Sequence, residues 1–370
     1  MRVVVEGSGG SSGWPRPGCR CASCLRQATA GSIRRQSAIV VDGRMRLGVR
    51  EPLQAGDVRG VEGYRVRRLG DRETGGNRDI RGWDVTGPDG GRLLYPGGPG
   101  AVPEPPADAA PYDIAFLDLL GDPGQLGWLR ARGLITPDTV TVVAYADHRV
   151  PSERELEQRC GYWQVQLAAD GDAVTAVRPA EKRGVRDLAR TRRVLVLGGA
   201  RSGKSERAEL RLAGEPEVIY VATGGSGAGD AEWAARVAAH RARRPAWWRT
   251  AETTDLAGVL ATARGALLID GIGGWLAAVL DECGAWENWD AAREKLAARI
   301  AGLIGAWRQT SAHVVAVSDE TGLGVVPATS AGRRFRDELG RLNQALAAES
   351  EEAELVVAGR VLALGEEVAG

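Results

Sequence analysis

The chain has 370 residues, which is enough for two domains that each bury a core of their own. Its 48 basic and 48 acidic residues cancel, so the net charge gives no support for a nucleic-acid or anionic-membrane partner. No apolar run is long enough for a membrane span, the start lacks the apolar core of a signal peptide, and five cysteines are an odd number without framework spacing. These features predict a cytoplasmic protein.

Residues 1–180 form a first segment that is rich in turns. It opens with a strand and a glycine turn, and its glycine- and proline-rich stretches predict loops rather than helices. The short apolar runs that are candidate strands are Ala38–Val41, Ile114–Leu117 and Val140–Ala144. The charged residues 181–192 that follow predict a linker.

Residues 193–370 alternate between short apolar runs and segments with helical spacing. The predicted strands are Val194–Leu197, Val218–Val221, Ala266–Ile269, Val314–Ser318, Leu355–Ala358 and Val361–Leu364. The predicted helices are one that begins within GKSERAELRLA, then Asp230–Ala242, Asp255–Ala263, Glu287–Trp307 and Arg333–Ala348. This alternation predicts an α/β fold with a mostly parallel sheet covered by helices on both faces.

The first strand of this second segment leads into GGARSGKS, a complete Walker A pattern. Glycines let backbone amides curl around a β-phosphate, and the following helix presents its N-terminus to the anion. Lys204 is then placed to reach the β- and γ-phosphates, and the Ser205 hydroxyl to ligate Mg²⁺. The predicted nucleotide-binding residues of this loop are Gly198, Gly199, Ala200, Arg201, Ser202, Gly203, Lys204 and Ser205.

A second acidic group that positions the metal is expected at the end of a neighbouring strand. Asp270 ends the apolar run ALLI, so it is predicted to bind Mg²⁺ together with Ser205. The alternative is that Asp270 caps the next helix.

His240 is one of three histidines in the chain, and three arginines occur within the next four residues. On a helix it shares a face with Trp233 and Val237, which taken alone favours a packed core histidine. The arginines favour a second hypothesis, because a dense positive patch suits phosphates. A histidine in such a patch is able to attack the α-phosphorus of a nucleotide and form a phosphoramidate.

Six motifs of the second segment follow one another in order: GGARSGKSERAE, VIYVATG, RVAAHRARRPAWWRTAE, LLIDGIGGWL, VSDETGLGVVP and GRRFRDELGRLNQALA. Together they resemble the bifunctional adenosylcobinamide kinase / adenosylcobinamide-phosphate guanylyltransferase family. The resemblance covers residues 193–364 and is far more specific than the Walker A pattern alone. It implies a RecA-like P-loop domain and a homotrimer.

The resemblance implies two reactions. ATP or GTP phosphorylates the terminal hydroxyl of the aminopropanol arm of adenosylcobinamide. GTP then guanylylates a histidine with loss of pyrophosphate, and GMP passes to adenosylcobinamide phosphate to give adenosylcobinamide-GDP. By the motif match, the catalytic residues are Lys204 and His240, and His240 carries the GMP.

Further nucleotide contacts are implied outside the loop. They are Ala222, Thr223, Gly224, Arg241, Arg244, Glu252 and Asp270. The resemblance also places Glu320, with Gly322 and Gly324, in a loop near the site. The alternative for Glu320 is an ordinary turn residue.

The first segment has a resemblance of its own. Its opening VVVEGSGGSSGWPRPGCRCASC and the later IVVDG resemble the first strands of metallo-β-lactamase-fold hydrolases. The metal motif of that fold, His-x-His-x-Asp-His, is absent, and His148 is the only histidine before His240. A dinuclear zinc site needs several His and Asp ligands, so we expect a shortened domain of this fold without its catalytic metals.

Three cysteines of this segment, Cys19, Cys21 and Cys24, have two interpretations. They bind a metal as thiolates, with Cys160 or His148 as the fourth ligand, or they are free thiols. The spacing C-x-C-x2-C lacks a second ligand pair, which favours free thiols.

Two other functions are compatible with a Walker A motif. One is a different P-loop enzyme, such as a small-molecule kinase or a GTPase, although the Asn-Lys-x-Asp guanine motif of GTPases is absent. The other is a regulatory protein that binds nucleotide without turnover.

Overall fold

The computed structural model describes residues 1–48, 61–70, 81–106, 108–176, 192–224, 235, 237–238 and 241–365. The chain divides into two compact units, Met1–Arg186 with Ala213–Pro216, and Asp187–Leu212 with Glu217–Gly370. Nearly all of the predicted linker lies outside the described residues, so its bounds stay a prediction. Among the described helices, none combines the length and the apolar character needed to cross a membrane.

The first unit contains two β-sheets. Its strands are β1 (Arg2–Gly7), β2 (Ala38–Val41), β3 (Met45–Gly48), β4 (Arg65–Leu69), β5 (Gly82–Thr86), β6 (Arg92–Pro96), β7 (Ile114–Leu117), β8 (Val140–Val143) and β9 (Ala173–Thr175). One sheet has the order β3-β2-β1-β9, and the other has the order β4-β5-β6-β7-β8. The first sheet is antiparallel, whereas β6, β7 and β8 of the second pair in parallel.

The two sheets of the first unit share one hydrophobic core. Val3 and Ile39 of the first sheet belong to the same buried cluster as Leu93 and Phe116 of the second. Side chains of a strand point alternately to its two faces, so each sheet contributes one apolar face to this core. Three helices complete the described part of the unit: α1 (Ala22–Thr29), α2 (Gly124–Ala131) and α3 (Glu153–Trp163).

The second unit is built on one seven-stranded sheet. Its strands are β10 (Arg193–Gly198), β11 (Val218–Ala222), β12 (Arg249–Glu252), β13 (Ala266–Asp270), β14 (His313–Asp319), β15 (Glu352–Val357) and β16 (Arg360–Leu364). Their order is β12-β11-β13-β14-β10-β15-β16. All pairings are parallel except that of β16 with β15, which confirms the predicted mostly parallel sheet.

Helices cover both faces of this sheet. They are α4 (Lys204–Leu212), α5 (Leu256–Thr262), α6 (Ile272–Cys283), α7 (Trp289–Gln309) and α8 (Ser330–Ala348). Val194 and Val196 of β10 are buried in a cluster with Leu212 of α4. Leu195 and Leu197 of the same strand belong to a second cluster, which includes residues of α5 to α8. Neighbouring residues of one strand therefore serve two cores, as expected for a doubly covered parallel sheet.

The predicted elements of the second segment agree with the structure to within about three residues wherever the structure describes them. Side-chain caps explain where two helices begin, because Asp255 and Thr329 each accept a backbone N–H from the first turn of α5 and α8. The predicted helix Asp230–Ala242 falls mostly on residues outside those described. Helix α6 was not predicted, since its first turn, IGGW, carries two glycines and no side-chain cap.

Candidate nucleotide-binding site

Five predicted or implied site positions lie at one edge of the second unit's sheet. Gly198, Ala222, Glu252 and Asp270 are the last residues of β10, β11, β12 and β13. Thr223 follows Ala222 directly. Carboxyl ends of parallel strands meet at the same edge of a sheet, and open α/β sheets bind ligands outside that edge. The fold therefore brings these residues to one place.

The phosphate loop, residues 199–203, connects the end of β10 to the start of α4. A Cβ atom at Gly198 would lie 2.7 Å from the carbonyl oxygen of Val356, so a side chain does not fit there. Gly203 has a φ of +97°, in the left-handed region that favours glycine. Directly after it, the first turn of α4 presents amides that lack helical partners, which suits an anion.

The loop is anchored from outside its own strand and helix. The Gly359 N–H, in the turn between β15 and β16, donates to the carbonyl oxygen of Ser202 at 2.8 Å. The Ser202 hydroxyl is buried and has no hydrogen-bond partner among the described residues. Gly199, Ala200 and Arg201 are exposed. The loop thus combines a fixed backbone with an accessible surface.

Lys204 is paired with an acidic residue that was not among the predicted site residues. Its Nζ lies 2.9 Å from Oδ1 of Asp319 and donates to the Gly199 carbonyl oxygen at 3.1 Å. Asp319 is the last residue of β14, directly opposite Gly198 in the pairing of β10 with β14. The available signal was the apolar run VVAVS before Asp319, the same pattern that identified Asp270.

Asp270 is held by the neighbouring strand. The Tyr220 hydroxyl of β11 donates to Oδ2 of Asp270 at 2.6 Å. Burial raises the pKa of Tyr220, and the Asp270 carboxylate raises it further, so this hydroxyl stays protonated and remains a donor. The N-cap residue of α6 is Gly271, and no side chain caps this helix. Asp270 therefore does not act as a helix cap.

Thr223 makes a structural connection between two of these strands. Its hydroxyl donates to the Gly271 carbonyl oxygen at 2.5 Å and accepts the Gly271 N–H at 3.2 Å. The residue is only 2% exposed. Both hydrogen bonds of the Thr223 hydroxyl are made with the backbone of Gly271. Gly224 is the next residue in the chain.

The arginines after His240 reach the same edge. Arg241 pairs with Glu252 of β12 at 3.0 Å, which joins two of the implied nucleotide contacts to each other. The Arg244 guanidinium lies 3.5 Å from the centre of the Tyr220 ring, next to the tyrosine that holds Asp270. His240 itself, like Trp233, lies outside the described residues.

Glu320 behaves as a turn residue in this structure. Its N–H donates to the Gly198 carbonyl oxygen at 3.1 Å, and its Oε1 accepts the Gly322 N–H at 2.8 Å. The backbone of Glu320 is therefore fixed beside the phosphate loop, while its carboxylate closes a local turn.

The Walker A loop follows the first strand of a mostly parallel sheet, and acidic residues end three other strands of that sheet: Glu252, Asp270 and Asp319. This arrangement defines a class of nucleotide-binding proteins. The second unit is a P-loop protein that binds nucleoside triphosphates.

Comparison with known proteins narrows the class. Residues 194–364 match the family described as cobinamide kinase / cobinamide phosphate guanyltransferase. The chain is 42% identical to the bifunctional adenosylcobalamin biosynthesis protein CobU of Salmonella typhimurium, over 45% of this chain and 96% of that protein. It is 46% identical to the corresponding protein CobP of Pseudomonas aeruginosa, over 45% of this chain and 94% of that protein. The chain belongs to the cobinamide kinase / cobinamide phosphate guanyltransferase family.

Similarity to solved structures adds little. Zinc-bound PqqB from Methylobacterium extorquens aligns with 47% of this chain at 15% identity and a TM-score of 0.31. An ATPase of a bacterial type III secretion system aligns with 45% of this chain at 12% identity and a TM-score of 0.30. Neither similarity is close enough to carry an argument about fold or chemistry.

Proposed function

We propose that this chain acts in cobalamin biosynthesis by two transfers at one nucleotide site. In the first, the γ-phosphoryl group of ATP or GTP passes to the side-arm hydroxyl of adenosylcobinamide. In the second, a histidine attacks the α-phosphorus of GTP and pyrophosphate leaves, and GMP then moves to adenosylcobinamide phosphate to give adenosylcobinamide-GDP. The relatives named for bifunctional adenosylcobalamin biosynthesis, matched over nearly their whole length, support this assignment.

The observation that carries the kinase reaction is the position of Lys204 at the start of α4. The helix N-terminus and the lysine both stabilise phosphate oxygens, and phosphoryl transfer depends mainly on such positioning and charge. Asp319, 2.9 Å from the lysine, occupies the place where a negatively charged phosphate oxygen would otherwise pair with it. The loop residues 198–205 are proposed to bind the triphosphate.

Mg²⁺ is proposed to be held by Asp270 and Ser205. Their oxygen donors suit this cation, and Asp270 is partly exposed with one oxygen already oriented by Tyr220. When bound, the ion neutralises charge on the β- and γ-phosphates.

His240 is proposed to be the residue that carries GMP. The neighbouring Arg241 and Arg244 lie at the sheet edge beside Glu252 and Tyr220, which supports a position near the phosphates. A covalent intermediate divides one transfer into two displacements at phosphorus. Ala222, Thr223, Gly224 and Glu252 are proposed as further contacts to the nucleotide.

GTP labelled at the α-phosphate tests the second reaction. The full chain is expected to acquire an acid-labile, base-stable label, and His240→Ala to acquire none. The matched control is His313→Ala, because His313 is at the amino end of β14, away from the edge that holds the phosphate loop. Equal labelling of the wild type and His240→Ala would refute the guanylyl-histidine assignment.

The first reaction needs a separate assay. With adenosylcobinamide and ATP labelled at the γ-phosphate, the wild type is expected to release labelled adenosylcobinamide phosphate. Lys204→Ala is expected to lose this activity, and also to lose the protein label that the wild type acquires from GTP. If GTP labels the protein but cobinamide is not phosphorylated, only the transferase assignment survives. Nucleotide binding without either product would instead indicate a regulatory protein.

The first unit is proposed to be a shortened metallo-β-lactamase-like domain, residues 1–180, without the catalytic metal centre of that fold. Two sheets that share one core support this fold, and a single histidine excludes a dinuclear site of the usual composition. The full chain is expected not to hydrolyse nitrocefin or bis(p-nitrophenyl) phosphate with added Zn²⁺ or Mn²⁺. Metal-dependent hydrolysis of either would contradict the proposal.

A P-loop domain at residues 193–370, a cytoplasmic location and a homotrimer complete the proposal. None of the described cysteines forms a disulfide, which suits a reducing compartment. Light scattering is expected to give three times the chain mass of 39.2 kDa, and a monomer mass would refute the trimer.

A further inference from the structure

Four metal-binding side chains meet in the first unit, far from the nucleotide site in sequence. Cys19 and Cys21 precede α1, Cys24 lies in its first turn, and His148 follows β8. The ligand atoms of all four residues lie within 4.8 Å of one another. The three cysteines are close together in the sequence. The fold brings His148, which follows Cys24 by 124 residues, next to them.

The separations match those of a tetrahedral zinc site. With Zn–S of about 2.3 Å and Zn–N of about 2.0 Å, tetrahedral angles place S and N about 3.5 Å apart and two sulfurs about 3.8 Å apart. The observed distance from Nδ1 of His148 is 3.6 Å to Cys24 Sγ and 3.8 Å to Cys19 Sγ. The remaining sulfur, that of Cys21, lies within 4.8 Å of the other three ligand atoms.

Backbone amides point at the sulfurs. The Cys24 N–H donates to Cys21 Sγ at 3.4 Å, and the Arg16 N–H donates to Cys24 Sγ at 3.4 Å. Amide donors stabilise thiolates, which are the form of cysteine that binds metal, and orient them toward a common centre.

The two segments that supply the ligands are also held together by other bonds. The Ser23 hydroxyl donates to the Val150 carbonyl oxygen at 2.7 Å, and the Arg26 guanidinium donates to the Pro151 carbonyl oxygen at 2.8 Å. These contacts fix α1 against the chain after His148 independently of the four ligand side chains. The approach of the histidine to the cysteines is therefore built into the fold.

Cys160, the other candidate for the fourth ligand, is not part of the cluster. It is buried in α3, and burial raises the pKa of its thiol to about 12. The sequence alone favours free thiols, because the spacing C-x-C-x2-C lacks a second pair of ligands. Folding places His148 where that ligand is needed.

We propose that Cys19, Cys21, Cys24 and His148 form a structural Zn²⁺ site that joins α1 to the segment after β8. Three thiolates and one imidazole favour Zn²⁺ over Mg²⁺ or Ca²⁺. Four protein ligands leave no open position for substrate, so the ion stabilises the fold and takes no part in hydrolysis. Each thiol that binds releases its proton to solvent.

Metal analysis of the purified full chain tests the site directly. The expected content is one zinc per wild-type chain and almost none in Cys24→Ser or His148→Ala. Cys283→Ser is the matched control and is expected to retain the zinc, because Cys283 ends α6 in the second unit. His148→Cys is expected to restore binding, since a fourth thiolate is an equally good zinc ligand.

A second measurement keeps the test decisive if a variant fails to fold. Wild-type protein exchanged with Co²⁺ is expected to show the visible bands of tetrahedral cobalt and thiolate charge-transfer absorption. Titration with a mercurial is expected to release one zinc as three thiols react. A wild-type chain that holds no zinc after reconstitution, or mass spectrometry that finds a disulfide among the three cysteines, would overturn the proposal. Neither result depends on the kinase or transferase activity.

Discussion

At the scale of single residues, the ammonium group of Lys204 is paired with the Asp319 carboxylate beside the phosphate loop. The lysine side chain is 14% exposed and the aspartate 48% exposed, so water screens the pair only in part. An incoming phosphate must compete with the carboxylate for the same ammonium group. The pair thus sets a cost that nucleotide binding has to overcome.

Replacing Asp319 by asparagine should strengthen nucleotide binding in the absence of metal. A partly exposed pair contributes at most about 1 kcal/mol, which corresponds to roughly a fivefold lower dissociation constant for GTP. Calorimetry in the presence of a chelator measures this change. Asp337→Asn, which removes an exposed charge on α8, is the control for net charge. An unchanged or weaker affinity of Asp319→Asn would show that the carboxylate does not compete.

At the scale of elements, the position of α4 depends on a buried charge network. Arg207 of α4 donates to Glu354 of β15 at 2.9 and 3.0 Å, and Arg211 donates to the same carboxylate at 2.7 Å. All three residues are at most 5% exposed. Because α4 starts with Lys204, this network also orients the phosphate loop.

Glu354→Gln should destabilise the second unit strongly. Arg207 would lose the carboxylate that compensates its buried charge, and Arg211 would lose one of its two carboxylate partners. The expected cost is about 3–5 kcal/mol in the free energy of unfolding. Urea unfolding measures the loss. Glu351→Gln removes a more exposed partner of Arg193 just before β15 and should cost less than about 1 kcal/mol. Equal effects of the two substitutions would contradict a special role for Glu354.

The first turn of α3 makes the stability of the first unit dependent on pH. Partial burial raises the pKa of Glu153, but hydrogen bonds from Gln27 and from the buried Arg34 outweigh this, so the pKa lies below its ordinary value of 4.5. A lowered pKa in the folded state means that the contribution is complete above pH 4.5 and is lost as the pH falls through the folded value.

Glu153→Gln should therefore lower stability by about 2 kcal/mol at pH 7, and the difference should shrink toward pH 3. Urea unfolding across this pH range measures both variants. Glu157→Gln, at an exposed position of the same helix, should leave the curve close to that of the wild type. A difference that persists unchanged at pH 3 would rule out the ionised carboxylate as its cause.

The elements also show which features can be predicted from the sequence and which cannot. Strands of the second unit are buried on both faces and appear as continuous apolar runs, so β10, β13 and β14 were predicted closely. Strand β4, RVRRL, has no such run, because only one of its five residues is buried. Asp319 was missed as a partner of Lys204 because 115 residues separate them and only the pairing of β10 with β14 joins them.

At the scale of the whole molecule, the chain combines a unit of the cobinamide kinase / cobinamide phosphate guanyltransferase family with an additional unit. The relatives match 45% of the chain, all of it in the second half, and these matches cover nearly their full length. The first unit has its own core and its own candidate metal site. The nucleotide site and the candidate metal site therefore belong to different units of the chain.

Thermal unfolding should show two transitions. GTP with Mg²⁺ at a hundredfold excess over its dissociation constant should stabilise the second unit by about 2.7 kcal/mol and leave the other transition unchanged. Tryptophan fluorescence reports on both units, because Trp14 and Trp163 are buried in the first and Trp275 and Trp307 in the second. Lys204→Ala should abolish the shift. A single transition that moves as a whole with GTP would contradict independent units.

The hydrogen bond from Gly359 to the phosphate loop has a consequence for the order of synthesis. Strand β10 pairs with β15, and the turn after β15 fixes Ser202, so the loop is complete only after residue 359 has been made. All the proposed nucleotide contacts precede residue 271 in the chain. A nascent or prematurely terminated chain that already contains every one of them still lacks the strand beside its Walker A motif. Nucleotide binding is therefore expected only once residue 359 has been made.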